Sequence, residues 1–187
     1  MITISKVLAC CALVSSALYA ADYAKLPAYR YAGGNAVEAA VATYAVQEFA
    51  NHYEPADISI PVVNVVAVDS GAAGETLVWG SFWVFNYELR GDTLSCVSGG
   101  EYPGLAHLQK SKDGSYRVKA LEVVEDGSRY TGSAKRIFGK HYGAFTKMQS
   151  DTELRERKRV EMIGDYVRVN KLPISGYQDY GWEVMPI

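Results

Sequence analysis

Residues 76–89 read TLVWGSFWVFNYEL, and the fold turns on how this stretch is read. One parity carries Leu77, Trp79, Ser81, Trp83, Phe85, Tyr87 and Leu89; the other carries Val78, Gly80, Phe82, Val84, Asn86 and Glu88. Period-two order with aromatic and β-branched enrichment predicts a strand. Both parities are apolar through the middle, so both faces need cover, and the strand belongs at the centre of a sheet. Gly80 inside it marks a bulge or a close backbone approach.

Its neighbours in sequence read as its ladder partners. Residues 58–68 (ISIPVVNVVAV) predict a strand, with Pro61 pointing to an edge or a bulge. Asp69 to Gly74 is a turn. Arg90-Gly91-Asp92 is a tight turn, and 93–98 (TLSCVS) predicts the return strand. Residues 99–104, with Gly99, Gly100, Pro103 and Gly104, read as a loop. Residues 105–110 and 115–124 read as a further hairpin around Lys112-Asp113-Gly114. Short connections favour antiparallel neighbours, which predicts a five-strand antiparallel meander.

Helices flank the meander. Asn35 stands as an N-cap with Glu38 three residues on, a capping-box pattern, and predicts a helix to about His52. Val37, Val41, Tyr44 and Ala45 form its apolar stripe, widened by Val46, Phe49 and Tyr53, and the alanines suit tight packing on a curved sheet. Ser133 is read as capping a helix through about Met148, with Gly139 and Gly143 on one face open to close approach. Ser150 and Glu153 read as a second capping box, opening a helix from 151 to about 171. Its first half is densely charged (Glu153 to Glu161) and reads as a solvated face; Glu153, Arg157 and Glu161 support it at four-residue spacing. The tail from Tyr177 is aromatic enough to return as an extended segment. No internal repeat or linker divides the chain.

The first twenty residues are expected to lie outside the fold. Lys6 precedes an apolar run, VLACCALVSSAL, too short to span a bilayer, and small residues follow at Ala20 and Ala21. This is the layout of a secretory signal peptide, with cleavage expected after Ala20 or, as the alternative, Ala21. A lipobox reading of Val7-Leu8-Ala9-Cys10 is set aside, because the apolar segment before Cys10 is too short for export. Removing 20 of the 187 residues leaves 167, enough for one well-buried domain. The remaining chain has no second long apolar run and no expected membrane span. Cys10 and Cys11 depart with the leader, leaving Cys96 alone and no intrachain disulfide possible. Losing Lys6 moves the formal charge from −2 to −3, and no charged block implies nucleic acid. Fourteen tyrosines and three tryptophans suit a core or a contact surface.

A capped helix at 35–52 before a curved aromatic meander (Trp79, Phe82, Trp83, Tyr87, then SGGEYPGLAHL at 98–108) resembles the cystatin-like and nuclear-transport-factor-2-like α+β folds. It is also similar to small secreted bacterial proteins of unknown function. The likeness is architectural, covers roughly 35–127 and carries no diagnostic motif. It implies an α+β fold, whose members include ligand-binding modules, small enzymes and protein inhibitors. The two terminal helices depart from the usual pattern.

Few residues offer chemistry. If a hairpin were centred between residues 101 and 102, Cys96 would stand opposite His107, and a cysteine beside a histidine can become a nucleophilic thiolate. A half-residue shift would put them on opposite faces, and the plain alternative is a buried cysteine and a face histidine. His52, His107 and His141 have no ligand spacing, so no metal or cofactor is expected. Most candidate carboxylates (Glu88, Asp92, Glu101, Glu122, Glu125 and Asp126) fall at turns, where aspartate belongs for local hydrogen bonds; Glu88 or Asn86 near the end of the central strand either projects into a pocket or reaches solvent. Gly99-Gly100 lacks the following motif of a phosphate loop, and Arg90-Gly91-Asp92 suits a hairpin turn. A helix–sheet pocket would be lined by Trp79, Trp83, Phe85, Tyr87 and His107; the same residues would otherwise form a dry core. The expectation is a periplasmic or secreted, non-enzymatic binding module for a small apolar ligand or a protein surface. An inhibitor or immunity-type protein, with loop 99–104 exposed, and a small hydrolase or isomerase are the alternatives.

Overall fold

The computed structural model describes residues 26–187; the expected leader, its cleavage positions at Ala20 and Ala21, and Cys10 and Cys11 lie outside the described residues. The order is α1 (Ala36–Phe49), β1 (Ile58–Ser70), β2 (Glu75–Arg90), β3 (Thr93–Lys110), β4 (Tyr116–Val123), α2 (Tyr130–Phe138), α3 (Tyr142–Ser150), α4 (Thr152–Val169), β5 (Gly176–Gln178) and β6 (Met185–Pro186). This is the expected α+β class: an N-terminal helix, a sheet, then C-terminal helices.

The aromatic stretch is the interior strand. β2 pairs antiparallel with β1 along one side and with β3 along the other. Both its faces are covered. Val78 and Phe82 meet Val41 and Ala42 of α1, and Val84 meets Ala45 and Phe49. On the opposite parity Trp79 meets Ile137, Phe138 and Phe145 of α2 and α3, and Tyr87 meets Met162, Ile163 and Tyr166 of α4. α1 touches all four long strands, including the outlying β1 and β4, so the sheet bends around it. Its start is set as expected: the Asn35 side chain accepts from Val37 and Glu38 N–H, and its amide donates to Glu38.

Pro61 does lie on an edge strand, β1, whose ladder to β2 is broken by a bulge between Val65 and Ala67. Gly80 stands opposite that bulge. A Cβ there would lie 2.6 Å from the Asn64 carbonyl and 2.7 Å from the Phe82 ring. The close-approach reading of Gly80 therefore holds, with the bulge on its partner.

Residues 99–104 are not a loop. β3 runs unbroken for 18 residues, and Gly99 to Gly104 pair one by one with Phe85 to Gly80. The small residues answer to neighbours and not to a turn: a side chain at Gly100 would strike the Tyr53 hydroxyl, and one at Gly104 the Glu122 carbonyl. Pro103 fits because its missing N–H falls just past the end of the β4 ladder, where Val124 N–H bonds the Pro103 carbonyl. The meander thus has four long strands. The tail supplies the rest: β5 pairs parallel with Thr93–Ser95, and β6 pairs antiparallel with β5.

The helical third also differs in detail. The helix read from 133 to 148 is broken at Gly139 (φ +47°), which only glycine adopts readily, giving α2 and α3. No backbone closes on Gly139 or Gly143 among the described residues. Ser133 lies within α2, bonding the Arg129 and Tyr130 carbonyls and receiving Glu125 N–H. Asp151, not Ser150, caps α4 by accepting from Leu154 N–H. Among the described residues no helix is long and apolar enough to cross a membrane.

Candidate functional site

The face of the sheet opposite α1 is where α4 crosses, and the two do not close completely. A cleft of about 280 Å³ remains between them. β1 contributes Val62 and Asn64, β2 contributes Trp83 and Phe85, α4 contributes Thr152, Arg155, Glu156 and Arg159, and Asp179 follows β5. The strand residues share one parity. The helix residues recur at three- and four-residue spacing and share one helix face.

Trp83 and Phe85 form the aromatic wall, with ring centroids 5.2 Å apart and planes within 4°. Arg159 forms the floor and is fully committed. Its Nε donates to the Tyr87 hydroxyl at 3.0 Å, and its two terminal nitrogens donate to Asp179 at 2.6 and 2.7 Å. The guanidinium lies 4.1 Å over the Phe85 ring and 4.8 Å from that of Tyr177. Burial works against its charge, but Asp179 and Tyr87 outweigh that and hold its pKa above the ordinary value. The same pairing, partly opposed by burial, holds the Asp179 carboxyl below its usual range. Glu156 accepts from the Tyr177 hydroxyl.

Two residues that line this cleft each carry an uncommitted donor, and both donor atoms are shut off from solvent. Asn64 is 6% exposed and its Nδ2 has no hydrogen-bond partner among the described residues; neither has the buried Nε of Arg155. The remaining tie of Arg155 is a long one, Nη2 to Thr152 Oγ1 at 3.4 Å. Most buried polar groups in folded proteins are paired, so two bare donors in one cleft mark the place.

Of the residues expected to line a pocket between the first helix and the sheet, Trp83 and Phe85 line this cleft instead, under α4 on the face opposite α1. Trp79 does not: it is packed under α2 and α3, with its indole N–H donated to the Ile137 carbonyl at 2.8 Å. Tyr87 is fully buried beneath Arg159, and burial raises its phenol pKa. His107 lies toward the far end of the sheet, between Glu75 (3.2 Å) and Glu122 (3.1 Å). Burial disfavours its charged form, but the two carboxylates prevail and raise its pKa.

The Cys96–His107 pairing fails because both sit on β3. They are eleven steps apart along one strand, roughly 35 Å. Cys96 stands opposite Tyr87, and His107 opposite Leu77. The Cys96 thiol is pushed up to about 11 by burial and by neighbouring Asp179, against the pull of Arg159, which is the reverse of activation. No group of three or more His, Cys, Asp and Glu side chains among the described residues is arranged to hold a metal.

Sequence reasoning missed Asn64, Arg155, Glu156, Arg159 and Asp179. The charged half of α4, read as solvated, turns Arg155, Glu156 and the 5%-exposed Arg159 toward the sheet. Comparison of the chain with protein-family models, curated proteins and solved structures finds no match in any of the three.

Proposed function

We propose that this chain is an exported binding module that takes a small, largely apolar molecule into the cleft between β1–β2 and α4. The carrying observation is the cleft itself: near the lower end of the range for small-molecule sites, walled by stacked Trp83 and Phe85, with a few convergent polar groups. Binding is preferred to turnover because both carboxylates of the cleft are engaged, Asp179 with Arg159 and Glu156 with Tyr177, and the uncommitted cation Arg155 has no acid or base beside it among the described residues. Export to the periplasm or beyond rests on the layout of residues 1–20. N-terminal sequencing of the mature protein is expected to begin at Ala21 or Asp22; retention of Met1 in cells would remove export from the proposal.

The binding reading is tested by native mass spectrometry of protein purified gently from its cellular fraction. An adduct of defined mass, absent from Trp83→Ala, is expected. Bare polypeptide in both, with no retention of apolar probes, overturns it. A second reading, contact with a protein surface, has its own observation: Tyr180 and Trp182 are 96% and 76% exposed on the turn after β5. The inhibitor version of that reading can no longer use 99–104, which is strand.

A further inference from the structure

We infer that the molecule this cleft takes is a small apolar acid, held as its carboxylate by Arg155 and Asn64 with its apolar body against Trp83 and Phe85. The inference rests on the binding reading above and names its ligand class.

The argument is a balance of charges and hydrogen bonds at the cleft. Arg159 is neutralised by a two-bonded contact with Asp179, and Glu156 accepts from Tyr177. Lys158, next to Arg159 in sequence, is paired with Glu161 and Glu38. Arg155 alone among the cations lining the cleft has no carboxylate within 4.0 Å among the described residues. Its buried Nε lacks a partner and its Nη2 has only the long contact to Thr152. Nε and Nη2 form one edge of the guanidinium, the edge that receives both oxygens of a carboxylate in parallel. Asn64, more than nine-tenths buried on β1 across the cleft, adds a second bare donor. Both unmet groups donate and both are closed to solvent, so an acceptor in the cleft satisfies them when the two side chains turn toward it. The cleft also opens beside the first turn of α4 at Thr152, where the helix dipole favours negative charge. The aromatic pair that lines the same cleft favours an occupant with an apolar body, because an inorganic anion would leave that wall wet.

Calorimetric titration of the full mature chain with a matched pair tests this: 3-phenylpropionate against 3-phenylpropanol, with inorganic phosphate as a third probe. The acid is expected to bind roughly ten-fold or more tighter than the alcohol. Arg155→Gln should erase that preference, while Arg155→Lys, which keeps the charge and loses the fork, should retain part of it. Asn64→Leu should weaken the acid several-fold, and Trp83→Ala should weaken acid and alcohol alike. Circular dichroism melts establish that each variant is folded. Equal affinity for acid and alcohol, both lost in Trp83→Ala, overturns the acid while keeping the binding module. Phosphate binding as tight as the acid's and dependent on Arg155 makes the site one for free anions and also overturns the inference. No heat from any probe, together with bare polypeptide in the native mass spectrum, overturns both readings at once.

Discussion

Asn64 and Asn86 are buried in the same sheet to nearly the same degree, 6% and 1% exposed, yet they are kept differently. Asn86 shares its parity with the α1 face and is met at both ends. Ser59 donates to its oxygen at 2.6 Å, and its amide donates to Ser98 at 3.0 Å. Asn64 faces α4 and its amide nitrogen meets nothing among the described residues. The contrast extends to the faces themselves. Under α1, alanines and aliphatic side chains close on Phe82 and Val84. Under the first half of α4, arginines, a glutamate and two half-buried aromatic rings surround a space. The α1 side has its own open groove of about 380 Å³ against β4, so what separates the two faces is the pair of unpartnered donors and not the space.

The sharpest way to break this contrast is to cut equivalent rings from its two sides. Phe82 and Trp83 are sequence neighbours on opposite faces. Phe82 is 1% exposed and enclosed by Val41, Val63 and Ala106. Phe82→Ala should destabilise by about 3–5 kcal/mol through the cavity it leaves. Trp83→Ala, although it removes a larger ring, should cost about 1–2 kcal/mol, because that ring already borders open space. Urea unfolding of both variants measures the difference. Equal losses would mean that the α4 face is as closely packed as the other.

The next effect is electrostatic. Asp179→Asn takes the counter-charge from buried Arg159. Breaking a fully buried pair costs about 3–5 kcal/mol. Asp179 is itself 43% exposed, so water screens part of the loss and about 2 kcal/mol is expected. Its folded pKa lies below the unfolded value of about 3.8, so its contribution is complete above that value. It is lost as pH falls through the folded value. The gap in melting temperature between wild type and Asp179→Asn should therefore be widest near neutral pH and shrink below about pH 4. A gap independent of pH would assign the effect to packing instead of charge.

The two faces were not equally legible in the sequence. On the α1 side, the Asn35 cap, the alanine-lined stripe and the alternation of 76–89 all report local geometry, and each appears as read. The misread run 99–104 shows where local reading stops. Gly100 and Gly104 look like turn residues in isolation, and only Tyr53 and Glu122, distant in sequence, reveal why glycine is needed within a strand. On the α4 side Trp83 and Phe85 were readable as apolar strand residues. Arg155 and Arg159 were not, since charge ordinarily marks the wet side of a helix. A signal was available: the buried stripe Met162, Ile163, Tyr166 continues backward at helical spacing through Arg159, Arg155 and Thr152. Asn64 is likewise the one polar residue in the parity Ile58, Ile60, Val62. The pairing of Arg159 with Asp179 arises only when the tail folds back, and no local pattern carries it.

The smallest expected effect discriminates best between a face whose buried amide is met and one whose amide is bare. An unpaired buried amide costs the full loss of its hydration, whereas an apolar group of similar shape in its place loses nothing. Asn64→Leu should therefore raise the unfolding free energy of the ligand-free protein by about 1 kcal/mol, read from the urea midpoint at unchanged slope. Asn86→Leu, which leaves Ser59 and Ser98 facing an apolar side chain, should lower it by about 1–3 kcal/mol. Opposite signs from the same substitution at two buried asparagines would mean that Asn64 is retained at a cost to stability, as expected of a residue serving a ligand. If Asn64→Leu destabilises as Asn86→Leu does, the amide is meeting a structural need of the fold, and the distinction between the two faces is lost.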